Sequence, residues 1–120
     1  MEEKKKIVIA EDSPSLCEVL KDILEREGYE IHIVHEGYSL ISFLQQNQDT
    51  DAILLDLFMP DKSGLSVFNT VRSVAPATKL IIYTGYSSYK NSVFAKEADA
   101  FVDKAEGAEK LINTIKSLIG

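Results

Sequence analysis

Ala52-Ile53-Leu54-Leu55-Asp56-Leu57-Phe58-Met59-Pro60 is the stretch that decides how the chain folds. Four consecutive apolar residues present apolar side chains to both sides of an extended backbone. Such a strand is covered on both faces, as in a parallel sheet between two helical layers. An acid follows at once, so the Asp56 carboxylate emerges straight from the core at the strand's carboxyl end. A helix or turn cap rarely follows four buried residues and precedes Leu-Phe-Met, so this acid calls for a chemical reason.

Outward from this strand, the same alternation runs to both ends. Ile7-Val8-Ile9-Ala10 is a first strand, β-branched and apolar on both faces. Leu16, Val19, Leu20, Ile23 and Leu24 fall three and four apart, the stripe of a helix. Ser13 can cap that helix, Pro14 suits its first position and Gly28 its end. Tyr29 to Val34 alternates and predicts a second, less buried strand. A helix around Ser39 to Gln46 carries Leu40, Ile41, Phe43 and Leu44. Leu65, Phe68, Val71 and Arg72 predict a third helix, which must stop before Pro76. Lys79 to Tyr83 is a fourth strand. Ser87 to Glu97 is a weaker helix with only Tyr89, Val93, Phe94 and Ala98 to bury. Ala100-Phe101-Val102 is a short fifth strand, and Ala108, Leu111, Ile112, Ile115, Leu118 and Ile119 stripe a closing helix. One domain over residues 1–120 results, α/β in class, with five parallel strands and five helices, a doubly wound sheet.

Composition narrows the function. A chain of 120 residues, 45% apolar, supports one hydrophobic core. Its net charge of -6 argues against direct nucleic-acid binding by this segment. No apolar run is long enough to span a bilayer, and Glu11-Asp12 interrupts the run that begins at Ile7, leaving nothing of signal-peptide length. The lone Cys17 cannot close an internal disulfide and sits within a helical pattern, which points to a buried thiol and a cytoplasmic location. His32 and His35 alternate on an edge-like strand and are expected at the surface. Asp51, Asp61, Asp99 and Asp103 are expected as turn or solvated acids, and Lys4 to Lys6 as a frayed end.

The chemistry-bearing residues share a position: each follows a strand. Glu11 and Asp12 follow the first, Asp56 the third, Thr84 the fourth and Lys104 the fifth. In an open parallel sheet the strands' carboxyl ends line one edge, and ligands bind there where the strand order reverses. Three clustered carboxylates repel unless a cation joins them, and few carboxylates with room for water and phosphate suit Mg²⁺, with Mn²⁺ as a substitute. A carboxylate is a competent nucleophile toward phosphorus, Lys104 offers a point charge for the added phosphoryl oxygens, and Thr84 offers a hydroxyl donor.

With Glu11-Asp12, Leu55-Asp56-Leu57-Phe58-Met59-Pro60, Gly64, Thr84-Gly85 and Phe101-Val102-Asp103-Lys104, the chain resembles the receiver domains of two-component response regulators over nearly its whole length. The resemblance implies a flavodoxin-like sheet of strand order 2-1-3-4-5. It implies Mg²⁺ held by Asp12, Asp56 and the backbone carbonyl of Phe58, with Glu11 acting through water. A histidine kinase or phosphotransfer protein would be the phosphodonor to Asp56, and the domain would be a signalling phosphoacceptor, not an enzyme. Thr84 and Phe101 hold the switch positions, and the fourth helix, fifth strand and fifth helix form the expected output face toward a downstream domain or protein, or a homodimer partner. Phe58 and Tyr86, two residues beyond Asp56 and Thr84, are expected to flank the site and control access.

Two departures from the family pattern stand out. Ala105 follows Lys104 where a proline with a cis bond is common. A cis bond before alanine costs ~3–4 kcal/mol, so the loop is either strained or takes another path. The stretch from Thr84 to Phe101 is also short, and Glu97 to Ala100 lacks a glycine, which predicts a short or irregular fourth helix. The rival functions are an aspartyl phosphatase or phosphotransferase, a flavin or nucleotide binder, and a receiver-like module that works without phosphorylation. The first needs a second acid where Phe58 stands. The second needs a phosphate loop where Glu11-Asp12-Ser13-Pro14 would repel. The third is opposed by the complete set of Asp12, Asp56, Thr84 and Lys104. The final turn at Leu118-Ile119-Gly120 suits either a stand-alone domain or a segment of a longer protein.

Overall fold

The computed structural model describes residues 3–61 and 63–120; Met1, Glu2 and Lys62 of the expected domain lie outside the described residues. Five parallel strands, β1 (Lys6–Ala10), β2 (Glu30–Val34), β3 (Ala52–Leu55), β4 (Lys79–Thr84) and β5 (Ala100–Asp103), lie in the order β2-β1-β3-β4-β5. Five α-helices join them: α1 (Pro14–Arg26), α2 (Gly37–Gln46), α3 (Ser63–Val74), α4 (Val93–Glu97) and α5 (Ala108–Ile119). The chain runs from β1 outward to β2, then returns to β3 on β1's other side. That reversal opens a crevice at the carboxyl ends of β1 and β3.

The period of two along each strand divides the core. Ile7, Ile9, Leu54, Ile81 and Val102 face α1 and α5, meeting Leu20, Leu24, Leu111 and Ile115. Val8, Ala10, Ile53, Leu55, Leu80 and Ile82 face the other helices, meeting Leu40, Leu44, Val67, Phe68 and Val71. All four residues of β3 are buried, as a strand covered on both faces requires. Only Ile31 of β2 is buried, in keeping with an edge strand.

Local chemistry sets the helix ends. Ser13 Oγ accepts from Leu16 N at 3.4 Å, Pro14 occupies the first helical position, and α1 stops ahead of Gly28, whose φ is 97°. α2 begins at Gly37, two residues before the expected Ser39, because Gly37 N donates to Ser63 Oγ at 2.6 Å. Asp61 Oδ1 in turn accepts from Ser63 N and Ser63 Oγ at the start of α3, the turn role expected of it.

The expected helix over Ser87 to Glu97 divides in two. A 3₁₀ turn spans Ser87–Asn91, then Ser92 caps the five-residue α4. Ser92 Oγ donates to Tyr89 O at 2.6 Å and accepts from Ala95 N at 3.3 Å, so one hydroxyl ends the first turn and starts the second. Such competition with backbone bonds is why serine interrupts helices. Neither piece contains a buried residue.

Two of the acids expected to be turn or solvated groups have partners distant in sequence instead. Asp51 Oδ2 accepts from Lys6 N at 2.8 Å. Asp99 Oδ2 accepts from Leu80 N at 2.8 Å and pairs with Arg72 at 3.0 Å, while Arg72 also reaches Glu97 O and Thr78 O. Asp103 caps a 3₁₀ turn over Lys104–Glu106, the turn role expected of it. Lys6, expected in a frayed end, is the first residue of β1 and pairs with Asp49.

Candidate functional site

Register brings the strand-end residues to one level. Leu55 pairs with Ala10 and with Ile82, so the next residue of β3's path, Asp56, stands beside Glu11 and Tyr83. Asp56 N donates to Ala10 O and Glu11 N to Val34 O, each at 3.1 Å, which carries the strand geometry one residue further. Thr84 pairs with Asp103, which sets Lys104 just beyond it.

Asp56 is 6% exposed, and both its oxygens are engaged. Oδ1 accepts from Phe58 N at 3.0 Å, and Oδ2 from Lys104 Nζ at 3.0 Å. Lys104 also meets Glu11 Oε1 at 2.5 Å, while Glu11 Oε2 accepts from Ser13 N at 3.1 Å. Glu11, at 2% exposed, is thus the deeper of the acidic pair, and Asp12 is half-buried. One carboxylate oxygen from each of Glu11, Asp12 and Asp56 lies within 4.8 Å of the others.

The electrostatics follow from this crowding. Burial pushes the Glu11 carboxyl up, with the bond to Lys104 only partly opposing it. Burial disfavours the Lys104 ammonium, but its hydrogen bonds to Glu11 and Asp56 outweigh that and hold its pKa above the ordinary lysine value. Three carboxylates around one ammonium leave a negative excess, and a cation relieves it. The donor set is all oxygen, with Asp12 partly open to water, which fits Mg²⁺ better than a softer ion.

The other expected residues take these places. Thr84 is fully buried, and its Oγ1 accepts from Tyr86 N at 3.4 Å. Phe101 on β5 is half-buried against the core face shared with α2 and α3. The Phe58 ring lies against Tyr86, centroids 4.6 Å apart, and against Tyr89 at 4.5 Å. Cys17 is buried with Sγ donating to Glu11 O at 3.4 Å, and burial together with the Glu11 and Asp12 charges raises its pKa, so it is no reactive thiolate.

Sequence reasoning did not single out several neighbours of the site. Tyr89 joins Phe58 and Tyr86 because the 3₁₀ turn replaces an α-helical one. The Tyr83 ring lies beneath Lys104, its centroid 5.9 Å from Nζ. His35, exposed as expected, places Nδ1 at 3.1 Å from Glu11 O. The Lys104-Ala105 junction takes the second of its two expected paths: among the described residues no peptide bond is cis, and a 3₁₀ turn begins at Lys104.

A doubly wound sheet with a buried aspartate, two acidic neighbours and a lysine at its switch point defines a flavodoxin-like receiver domain. A family model, the response regulator receiver domain, matches residues 7–116. The chain belongs to that family, the receiver domains of two-component response regulators. Among its relatives, the transcriptional regulatory protein CpxR of Escherichia coli strain K12 is 28% identical over 116 residues, covering 95% of this chain and 49% of CpxR. The TorCAD operon transcriptional regulatory protein TorR of the same strain is 32% identical over 115 residues, covering 94% of this chain and 49% of TorR. The chain thus spans about half the length of these curated relatives. Among solved structures, the response regulator protein TrrA from Thermotoga maritima, in complex with Mg²⁺-BeF, is 35% identical with a TM-score of 0.85, covering 95% of this chain and 98% of that one. A structure of histidine kinase ThkA in complex with TrrA gives 34% identity and a TM-score of 0.84, covering 97% and 99%.

Proposed function

We propose that Asp56 is the phosphoacceptor of this domain and takes a phosphoryl group from a histidine kinase or phosphotransfer protein. The observation that carries this reading is the Asp56 carboxylate itself. It is buried, held by Phe58 N and Lys104 Nζ, and stands within 4.8 Å of the Glu11 and Asp12 oxygens. A carboxylate oxygen forms the new P–O bond while the donor's P–N bond breaks, and the departing imidazole nitrogen takes up a proton. Lys104 holds the added charge, moving its second bond from the carboxylate to a phosphoryl oxygen.

Mg²⁺ would be held by Asp12, Asp56 and the Phe58 carbonyl, with Glu11 acting through water, and would supply charge neutralisation and alignment of the phosphoryl oxygens. Glu11 already gives one oxygen to Lys104 and the other to Ser13 N, which favours its indirect role. The Thr84 hydroxyl oxygen accepts a 3.4 Å bond from Tyr86 N, and its O–H proton can be donated to a phosphoryl oxygen. Movement of Thr84 and Phe101 would then alter the face formed by α4, β5 and α5, which a downstream domain, a separate protein or a second copy would read. The complex of histidine kinase ThkA with TrrA, and the transcriptional regulatory proteins CpxR and TorR among the relatives, support a kinase donor and a transcriptional output.

The test is intact mass after treatment with acetyl phosphate and Mg²⁺. One added phosphoryl group on the wild type, none on Asp56→Asn and none without the metal is the expected result. Labelling that survives Asp56→Asn would remove the assignment, and a wild type that never labels would favour a module working without phosphorylation.

A further inference from the structure

Lys104 is a long side chain with four rotatable bonds, and it is at its most useful only when aimed. It leaves the sheet at the end of β5, an edge strand paired only with β4. Its reach to Glu11 and Asp56 therefore depends on how the backbone turns after Asp103. Two reciprocal hydrogen bonds fix that turn. Asp103 Oδ1 accepts from Ala105 N at 2.8 Å, and Glu106 Oε1 accepts from Asp103 N at 3.0 Å. Both bonds grip the backbone on either side of Lys104, and neither carboxylate touches the acidic cluster. The ammonium itself is supported from below, where the buried Tyr83 ring lies 5.9 Å from Nζ. A cation over a partly desolvated aromatic face is attracted to it.

We propose that Glu106 is a positioning residue for phosphoryl transfer. It locks the turn from which Lys104 reaches Asp56, with Tyr83 as the second support. Glu106 is exposed and is not needed to fill the core, and among the described residues its side chain is bonded to Asp103 N. The proposal rests on Asp56 being the phosphoacceptor, and its test separates the two ideas.

Phosphorylation by acetyl phosphate at saturating Mg²⁺ is timed by intact mass for the wild type, Glu106→Ala and Glu106→Gln. Glutamine keeps the acceptor oxygen and loses only the charge. The rate should fall about three- to tenfold in Glu106→Ala, the scale of one lost hydrogen bond, and stay within about twofold in Glu106→Gln. The Mg²⁺ dissociation constant should hardly change in either, and Tm should fall by no more than about 5 °C in Glu106→Ala, the loss of one cap bond. In parallel, the Lys104 Cε and Hε resonances, assigned by their loss in Lys104→Met, are followed without any phosphodonor. They should move in Glu106→Ala and remain in place in Glu106→Gln. Wild-type rates and an unmoved Lys104 signal in Glu106→Ala would overturn the proposal, as would equal losses in both variants. If the wild type fails to label, the Asp56 reading falls, and the Lys104 resonance still decides whether Glu106 positions it.

Discussion

Replacing Gly64 with alanine should destabilise the domain, although alanine in a helix interior ordinarily stabilises by about 1 kcal/mol relative to glycine. The second residue of α3 lies directly against the backbone of the β3 exit. A Cβ there would stand 2.1 Å from Asp56 O and 3.0 Å from both Leu57 C and Leu57 Cα. These are backbone atoms, so no side chain can swing aside, and the helix must withdraw by about 1 Å to reach the shortest real contacts. Withdrawal breaks the bond from Leu65 N to Leu57 O, now 3.2 Å. That loss costs about 1 kcal/mol, and forced overpacking adds roughly 1–3 kcal/mol. The sum is about 2–4 kcal/mol, a large share of the roughly 5–15 kcal/mol typical of a domain. Urea denaturation followed by circular dichroism measures it as a lower midpoint at constant slope. Tm should fall by roughly 10 °C. Gly85→Ala is the control, since nothing lies within 4 Å of its Cβ position, and should change stability by less than about 0.5 kcal/mol. The reasoning is refuted if Gly64→Ala matches that control or proves more stable than wild type.

Further expectations concern the site and its frame. Hydrolysis of an aspartyl phosphate needs an aligned water, and we expect the packed rings of Phe58, Tyr86 and Tyr89 to exclude it; Phe58→Asn or Tyr86→Ala should then release phosphate roughly three- to tenfold faster. Unchanged release in both variants would show that the rings do not shield the site. Asp12→Ala should weaken Mg²⁺ binding more than Glu11→Ala in a calorimetric titration, because both Glu11 oxygens already have protein partners. Equal losses would mean that both acids touch the ion. For Asp99, burial raises the pKa, but the Leu80 N–H and Arg72 bonds outweigh it and leave the carboxyl below its ordinary 3.8. A depressed folded-state pKa adds stability that is complete above the unfolded value and lost as pH falls through the folded one. Asp99→Asn should therefore cost no more than about 1 kcal/mol at pH 7, since solvent screens the exposed pair with Arg72, with the gap to wild type closing below about pH 4 in urea melts at stepped pH.

The strands were readable because burial on both faces leaves uninterrupted apolar runs, and the candidate site because its residues each follow such a run. β1, β3 and β4 show this most plainly. The fourth helix was harder: Tyr89, Val93 and Phe94 suggest one weak stripe, yet the Ser92 hydroxyl divides it, an effect of one hydrogen-bonding atom and not of periodicity. The relation of Lys104 to Glu11 was also hidden. The two are 93 positions apart, and only the β1-β3-β4-β5 register shows that their side chains meet. Asp51 and Asp99 were misread for a related reason. An acid that binds backbone N–H groups has the same local sequence signature as one in water, and Tyr83 looked like ordinary strand content until the ammonium was found above it.

The division of residues 87–97 into a 3₁₀ turn and the short α4 has an energetic consequence for the whole domain. Residues 87–97 bury no side chain fully and hold together by short turns, with Arg72 fastening Glu97 O and Asp99 at the far end. Regions with few buried contacts open by local unfolding at a small fraction of the global free energy. The backbone amides of this segment should accordingly lose their protons to deuterium well before those of β3 or α5. A disturbance entering at Thr84 would then meet a stiff sheet on one side and a readily melted ribbon on the other. Under the proposed switch, motion would spread toward the compliant side, up to the Arg72 tether on Glu97 O and Asp99.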